Sequence, residues 1–247
     1  MSVFCTVEEA IEEFRNGNIL IVVDDEAREN EGDMIIAADK STPEKINFLA
    51  KFARGLICLA LTRERSKELD LQPMVRDNTA KLGTAFTVSI DAVEGTTTGI
   101  SAYDRSETIR KTIHPEATAS DFARPGHVFP LRAVPGGVLR RAGHTEAGCD
   151  LARLAGMSPA AVIVEILNED GSMARRPDLE LFAREHGLKM GTIEDLIQYR
   201  VRNEKTIEHL NECMLDTEFC QFRVIAYQDC IDNEVHLALT MGELDPE

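Results

Sequence analysis

Two short apolar runs, Asn18 to Val23 and Met34 to Ala38, bracket ten residues that hold six carboxylates and one arginine. The runs read as strands, so Asp24-Asp25-Glu26-Ala27-Arg28-Glu29-Asn30-Glu31-Gly32-Asp33 reads as the loop between them. Like charges at this density repel one another. A fold that gathers them brings in a divalent cation or a cationic partner to offset the repulsion. Hard oxygen ligands suit Mg²⁺ or Mn²⁺, and Arg28 among them can grip an anionic substrate. The alternative is a solvated acidic turn.

The 247 residues are enough for one large domain, or one domain with an appendage. The net charge of −16 argues against nonspecific nucleic-acid binding, which needs a basic face. It leaves room for a phosphorylated small substrate held by a local arginine pocket. No apolar stretch approaches the roughly 18 residues of a membrane span. The start carries Glu8, Glu9, Glu12 and Glu13 and no early basic residue, unlike a secretory signal. It reads as an amphipathic helix with Val7, Ile11 and Phe14 on one side. Cys5, Cys58, Cys149, Cys213, Cys220 and Cys230 form no C-x-x-C pair, so neither a zinc ribbon nor a disulfide framework is signalled. Reduced thiols and a cytoplasmic location are the simplest reading.

Pro43 opens a helical stretch to about Arg54, Gly55 to Thr62 reads as a strand, and Arg63 to Leu69 as a short helix. Ala85 to Ala92 alternates as a strand and runs into the hydroxyl-rich turn Glu94 to Gly99. Asp104 to Thr112 is helical, with Asp104 as N-cap. Residues 124–148 are rich in Gly and Pro and read as irregular backbone. A helix then runs from Thr145 or Glu146 to Ala155, Ala161 to Leu167 is a strand, and Asn168 to Gly171 a turn. Further helices span Asp178 to His186 and Ile193 to Asn211. Interleaved helices and strands with hairpin-like turns indicate a mixed-sheet α/β (α+β) domain. The segment Arg200 to Glu247 has eleven acidic residues against four basic ones. It offers two strands, Phe222 to Tyr227 and Val235 to Leu239, too few to fold alone.

Two further clusters carry chemistry. Arg140-Arg141-Ala142-Gly143-His144-Thr145-Glu146 lies where irregular chain enters a helix, and a helix N-terminus suits a phosphate. Arg141 adds a fork of donors and Thr145 a hydroxyl, while His144 can ligate a metal or shuttle a proton. The alternative is a helix capped by Thr145 beside surface arginines. The other cluster is His127 with Glu165. A glutamate inside the apolar strand Val162 to Leu167 is costly to bury without a partner, and the two could form an acid/base pair. A structural His127 and a salt-bridged Glu165 are the alternatives.

The strings Asp25-Glu26-x-Arg28-Glu29-Asn30-Glu31-Gly32-Asp33, Thr84 to Asp91, Gly95 to Ser101, Arg141-x-Gly143-His144-Thr145-Glu146-Ala147 and Glu169-Asp170-Gly171-x-Met173-Ala174-Arg175 occur in that order. Together they resemble 3,4-dihydroxy-2-butanone 4-phosphate synthase of riboflavin biosynthesis, over roughly residues 3–200. The resemblance implies a three-layer α/β sandwich and a lyase. Its reaction would convert D-ribulose 5-phosphate to L-3,4-dihydroxy-2-butanone 4-phosphate and formate by enediol formation, dehydration, skeletal rearrangement and formate loss. It implies Mg²⁺ or Mn²⁺, two ions per active site, and a homodimer with active sites at the interface. By position, Glu29 and His144 match metal ligands. Arg28, Glu29, Asp33, Arg141, Gly143, His144, Thr145 and Glu165 match substrate contacts. His127, Glu165, Glu31 and Asp33 match catalytic positions. The resemblance makes residues 1–200 the synthase domain. Residues 201–247 become a short extension in which Leu215 to Leu244 resembles the opening of a GTP cyclohydrolase II domain. The zinc-binding cysteines and nucleotide-binding region of such a domain are not in that stretch, so no cyclohydrolase activity is expected. Competing readings are another metal-dependent sugar-phosphate enzyme (isomerase, aldolase or phosphatase) and a non-catalytic partner of a separate cyclohydrolase. Formate release separates the synthase from the three other enzymes, and loss of a metal ligand or acid/base residue would favour the partner, but none of the matched positions is missing.

Overall fold

The structure, a computed structural model, describes residues 3–231 and 233–242. The outermost residues of both expected domains, and Leu244 at the end of the cyclohydrolase-like string, lie outside the described residues. The chain divides into two compact units, Met1–Tyr199 and Arg200–Glu247.

The first unit is a seven-stranded mixed sheet between two helical layers. In chain order its elements are α1 (Val7–Asn16), β1 (Leu20–Val23), β2 (Gly32–Ala37), α2 (Pro43–Phe48), β3 (Cys58–Leu61), α3 (Arg63–Glu68), β4 (Ile90–Ala92), α4 (Ala102–Ile113), β5 (Phe122–Arg132), α5 (His144–Leu154), β6 (Ala160–Glu165), α6 (Arg176–His186), β7 (Lys189–Thr192) and α7 (Ile193–Asn203). The strand order is β4-β5-β3-β6-β2-β1-β7. Pairs β1–β7 and β3–β5 are parallel, the others antiparallel.

The central strands are continuous apolar runs because both of their faces are covered. Alternate residues go to opposite layers. Ile21, Met34, Ile36, Leu59 and Val162 pack with Ile46 of α2, Ile109 of α4 and Leu179 of α6. Leu20, Val22, Ile35, Cys58 and Ile163 pack with Phe14 of α1, Ala147 and Leu151 of α5 and Leu196 of α7. Each Val, Leu, Ile, Phe or Met among them stabilises the fold by about 1.5–3 kcal/mol relative to exposure. The layers agree with the three-layer α/β sandwich expected from the sequence.

Several local expectations are corrected. Residues 124–132 are not irregular: they lie in β5, the longest strand of the sheet. Ala85 to Ala92 is not one strand. Its hydrogen bonds go alternately to β5 (Thr87 N–H to Pro130 O) and to a neighbouring segment (Val88 N–H to Gln72 O), so a ladder forms only at Ile90–Ala92. Helix α4 starts at Ala102, capped by Ser101 Oγ, which accepts from the Asp104 N–H. Asp104 instead accepts from the Thr97 and Gly99 N–H groups and pins the preceding turn. The stretch opened by Pro43 changes to a π-helical turn at Leu49–Ala53.

In the second unit, β8 (Ile207–Asp216), β9 (Gln221–Asp229) and β10 (Val235–Thr240) form an antiparallel sheet of order β10-β9-β8. The helix expected to reach Asn211 stops at Asn203, and a third strand replaces its end. Every residue of β8 is exposed, so no buried face marks it in the sequence. Its pairing with β9 includes an ion pair between Arg223 and Glu212 at 2.6 Å.

Helix α5 sits close to the sheet because Gly148 has no side chain. A Cβ there would lie 2.8 Å from Ala161 Cβ and 3.4 Å from Ile163 Cγ2. Gly148→Val therefore overpacks this contact and is expected to lower stability by about 1–3 kcal/mol, read as a lower midpoint in urea unfolding.

Candidate active site

The loop between β1 and β2 is built around Asp24, whose side chain is 0% exposed. Its carboxylate accepts from Arg28 Nη1 at 2.9 Å, the Glu29 N–H at 3.0 Å and the Glu31 N–H at 2.9 Å. Arg175 Nη1 clamps the loop from α6's start, donating to the Glu29 carbonyl at 2.8 Å and the Asn30 carbonyl at 2.5 Å. Asn30 takes a left-handed φ of 55°, a conformation Asn tolerates well. The segment is thus solvated at its tip, Asp25 to Ala27, but not throughout: Arg28 and Glu29 are drawn inward as an ion pair at 2.5 Å.

Strand β2 then delivers Asp33, and sheet register sets its neighbours. Asp33 lies opposite Glu165 of β6 and opposite Val22 of β1. Ile35, two residues on, faces α5, so Asp33 also faces the α5 layer. At the start of α5, His144 is buried beneath the loop. Its Nε2 lies 3.2 Å from the Val22 carbonyl, which can only accept, so Nε2 carries a hydrogen. Nδ1 is thereby turned toward Glu29 Oε2 at 3.6 Å and Asp33 Oδ1 at 3.8 Å. Ligand atoms of Asp24, Glu29 and His144 lie within 4.8 Å of one another.

The charges of this group depend on one another. Burial penalises the His144 imidazolium, but Asp33, Glu29 and Asp24 around it prevail and raise its pKa to about 9. The nearby His144 ring, helped by Arg28, holds Glu29 down at about 2. Burial pushes Asp33 up to about 7, reinforced by Glu165, Glu29 and Glu31 and opposed by His144. Burial and Glu29 likewise raise Glu31. Asp33 Oδ1 has no hydrogen-bond partner among the described residues. A buried, unpartnered carboxylate oxygen beside a second carboxylate and an oriented imidazole nitrogen fits a hard divalent cation. Binding one requires His144 to give up its Nδ1 proton.

The other half of the site is the start of α5. Gly143 is its N-cap residue, so Thr145 lies inside the first turn and does not cap the helix. Two arginines converge on Gly143. A Cβ there would collide with Arg141 Nη1 and sit 3.0 Å from Arg28 Nη2. Arg141 is fixed by Glu146 at 2.6 Å and also reaches the Leu82 carbonyl at 3.2 Å. First-turn N–H groups, a positive dipole end and two guanidiniums suit an anion here, with Glu146 Oε2 2.8 Å from the same point.

His127 and Glu165 do not pair within the chain. Glu165 Oε2 accepts from the Leu56 N–H at 3.1 Å, and its charge acts on Asp33 and Glu31. His127 Nδ1 instead meets Asp91 Oδ2 at 2.7 Å. The structure thus gathers Arg28, Glu29, Glu31, Asp33, Arg141, Gly143, His144, Thr145 and Glu165, and sets His127 beside Asp91. Supporting residues that sequence reasoning did not separate are Asp24, Asp91, Glu146, Asp150 and Arg175. Glu146 and Asp150, one turn apart on α5, accept from the Val134 and Val138 N–H groups and shape the loop before the helix. Their i, i+4 spacing was the available signal.

Residues 8–199 match the sequence signature of the 3,4-dihydroxy-2-butanone 4-phosphate synthase family. A synthase of that name from Photobacterium phosphoreum is 57% identical over 98% of this chain, which spans 66% of that relative's length. A two-domain 3,4-dihydroxy-2-butanone 4-phosphate synthase from A. baumannii is 53% identical. It superposes with a TM-score of 0.90, over 97% of this chain and 70% of that one. A synthase solved in complex with two magnesium ions is 48% identical, with a TM-score of 0.78 over 81% of this chain and 99% of that one.

His144 binds its second proton more tightly when folded than unfolded, so its contribution to stability is complete below pH 6.5 and lost as pH rises through about 9. Urea unfolding across that window, without divalent ions, is expected to show this decline. His144→Gln should flatten it.

Proposed function

The chain belongs to the 3,4-dihydroxy-2-butanone 4-phosphate synthase family, and on that premise we propose that it converts D-ribulose 5-phosphate to L-3,4-dihydroxy-2-butanone 4-phosphate and formate in riboflavin biosynthesis. The observation that carries the reading is the junction of two unlike subsites at one helix start. The carboxylate cluster around His144 meets an anion site that Arg28 and Arg141 form over Gly143.

The phosphate is assigned to the α5 N-terminus, with Arg141, Gly143 and Thr145 as its contacts. Arg28 and Glu29 border the sugar. Glu29 and His144 would hold Mg²⁺, with Mn²⁺ and a second ion compatible with the surplus of carboxylates. When bound, the ion supplies Lewis-acid polarisation of the ketose carbonyl and its neighbouring hydroxyl. Asp33, Glu31, Glu165 and His127 are assigned the proton transfers of enediol formation, dehydration and rearrangement. Burial raises the Asp33 carboxyl above the usual carboxylate range, which suits it to take and return a proton. Its burial excludes bulk water from that exchange.

A homodimer is proposed on the exposed apolar side chains Val93, Ile100 and Tyr103, beside the strand that carries Asp91. Six free cysteines and the absence of a membrane-crossing helix among the described residues support a cytoplasmic setting. Residues 201–247 are read as an appended β unit resembling the start of a GTP cyclohydrolase II domain, a reading supported by β8 to β10.

Proton NMR of the protein with D-ribulose 5-phosphate tests the activity. A formate singlet that grows only with Mg²⁺, matched by a four-carbon phosphate, is expected. Substrate loss without formate would assign another sugar-phosphate reaction. Arg141→Lys loses the forked contact and should raise KM about 10-fold or more with kcat changed less. Glu146→Gln, which loosens Arg141, should do the same more weakly. Steady-state kinetics on both variants would separate these effects.

A further inference from the structure

His127 is held in a way that its assignment to proton transfer does not require. Asp91, on the short strand β4, uses both carboxylate oxygens on it. Oδ1 accepts the His127 backbone N–H at 2.8 Å, and Oδ2 meets the ring Nδ1 at 2.7 Å. The backbone is shaped for this grip. Register slips between Ile90, opposite Val128, and Asp91, opposite Ala123, so residues 124–127 bow outward around the carboxylate. Two glycines close over it. A Cβ on Gly126 would strike the Ile90 backbone, and one on Gly99 would strike Asp91 Oδ2 and sit 2.5 Å from His127 Nδ1. Gly99 also has a φ of 93°, which disfavours any side chain. The Asp91 side chain is 14% exposed, whereas that of His127 is 43% exposed.

We propose that Asp91 is a positioning residue for His127. Its carboxylate holds the hydrogen of the neutral imidazole on Nδ1 and presents the Nε2 lone pair outward, where the reacting substrate proton is exchanged. A carboxylate only accepts, so it selects this tautomer as well as the ring's orientation. The arrangement is the orienting half of a carboxylate–histidine pair, with His127 as the group that touches substrate. The proposal rests on the reading of His127 as an acid/base residue.

The test is Asp91→Asn. Asparagine offers one acceptor where aspartate offers two. Its oxygen must serve the backbone N–H, which leaves its NH₂ facing Nδ1 and forces the hydrogen to Nε2. Two-bond ¹H–¹⁵N correlation spectra of ¹⁵N-histidine-labelled protein report the tautomer without any turnover. The wild type is expected to show Nδ1–H on His127, and D91N to show Nε2–H. In D91N, kcat should fall about 100-fold or more with KM nearly constant. Nε2–H in the wild type overturns the proposal even if D91N fails to fold. An unswitched tautomer in D91N overturns it too. His127→Gln, assayed alongside, separates two kinds of failure. Full activity in H127Q removes the acid/base reading of His127 and the proposal with it. An inactive H127Q beside a fully active, tautomer-switched D91N removes the positioning role alone.

Discussion

The buried carboxylate of Asp24 is the interaction on which the site depends. Three hydrogen bonds converge on it, and each fixes a different part of the loop: the Arg28 side chain, the Glu29 backbone and the Glu31 backbone. Without that internal acceptor, six carboxylates in ten residues would spread into water. With it, Glu29 is turned toward His144 and Arg28 toward Gly143. Hydrogen bonds to a charged acceptor are each worth about 1.5–3 kcal/mol, enough to outweigh the mutual repulsion of a few partly screened carboxylates.

Sheet register supplies the second constraint. Val22, Asp33 and Glu165 align across three neighbouring strands, so the acidic groups enter the site from rigid backbone. Helix α5 supplies the third. Its first turn carries His144 and Thr145 toward the sheet, while Glu146 and Asp150 reach back to hold the loop that brings Arg141 in. One helix therefore sets both halves of the candidate site, the carboxylate cluster and the paired arginines, and Gly148 sets how closely that helix approaches the sheet.

The parts of the fold legible in the sequence were those governed by burial on both faces. Leu20–Val23, Cys58–Leu61 and the stretch of β6 that precedes Glu165 are unbroken apolar runs because helices cover them on either side. Phe122–Arg132 escaped notice because two prolines, a glycine and several exposed residues obscure its alternation, and tertiary pairing with β3 and β4 makes it a strand. Ile207–Asp216 escaped because it buries nothing. The candidate site was legible where a residue's chemistry is unusual for its setting, as with Glu165 in an apolar strand or the acidic loop itself. Its supporting residues were not, because Asp24 and Glu146 differ from their acidic neighbours only in what they accept hydrogen bonds from, and Asp91 becomes notable only once folding sets it beside His127. The expected acid/base pair of His127 and Glu165 is not a contact within one chain, where the sheet sets Asp91 beside His127.

Asp33 carries a consequence for how such a protein changes over time. Its Oδ1 is sealed from water with no hydrogen-bond partner among the described residues, a local conflict within an otherwise well-packed sheet. Many uncharged residues at that position would relieve the conflict and make the free protein easier to fold. Drift toward greater robustness would thus run against keeping a carboxylate here, a cost to folding that the site imposes on the sheet.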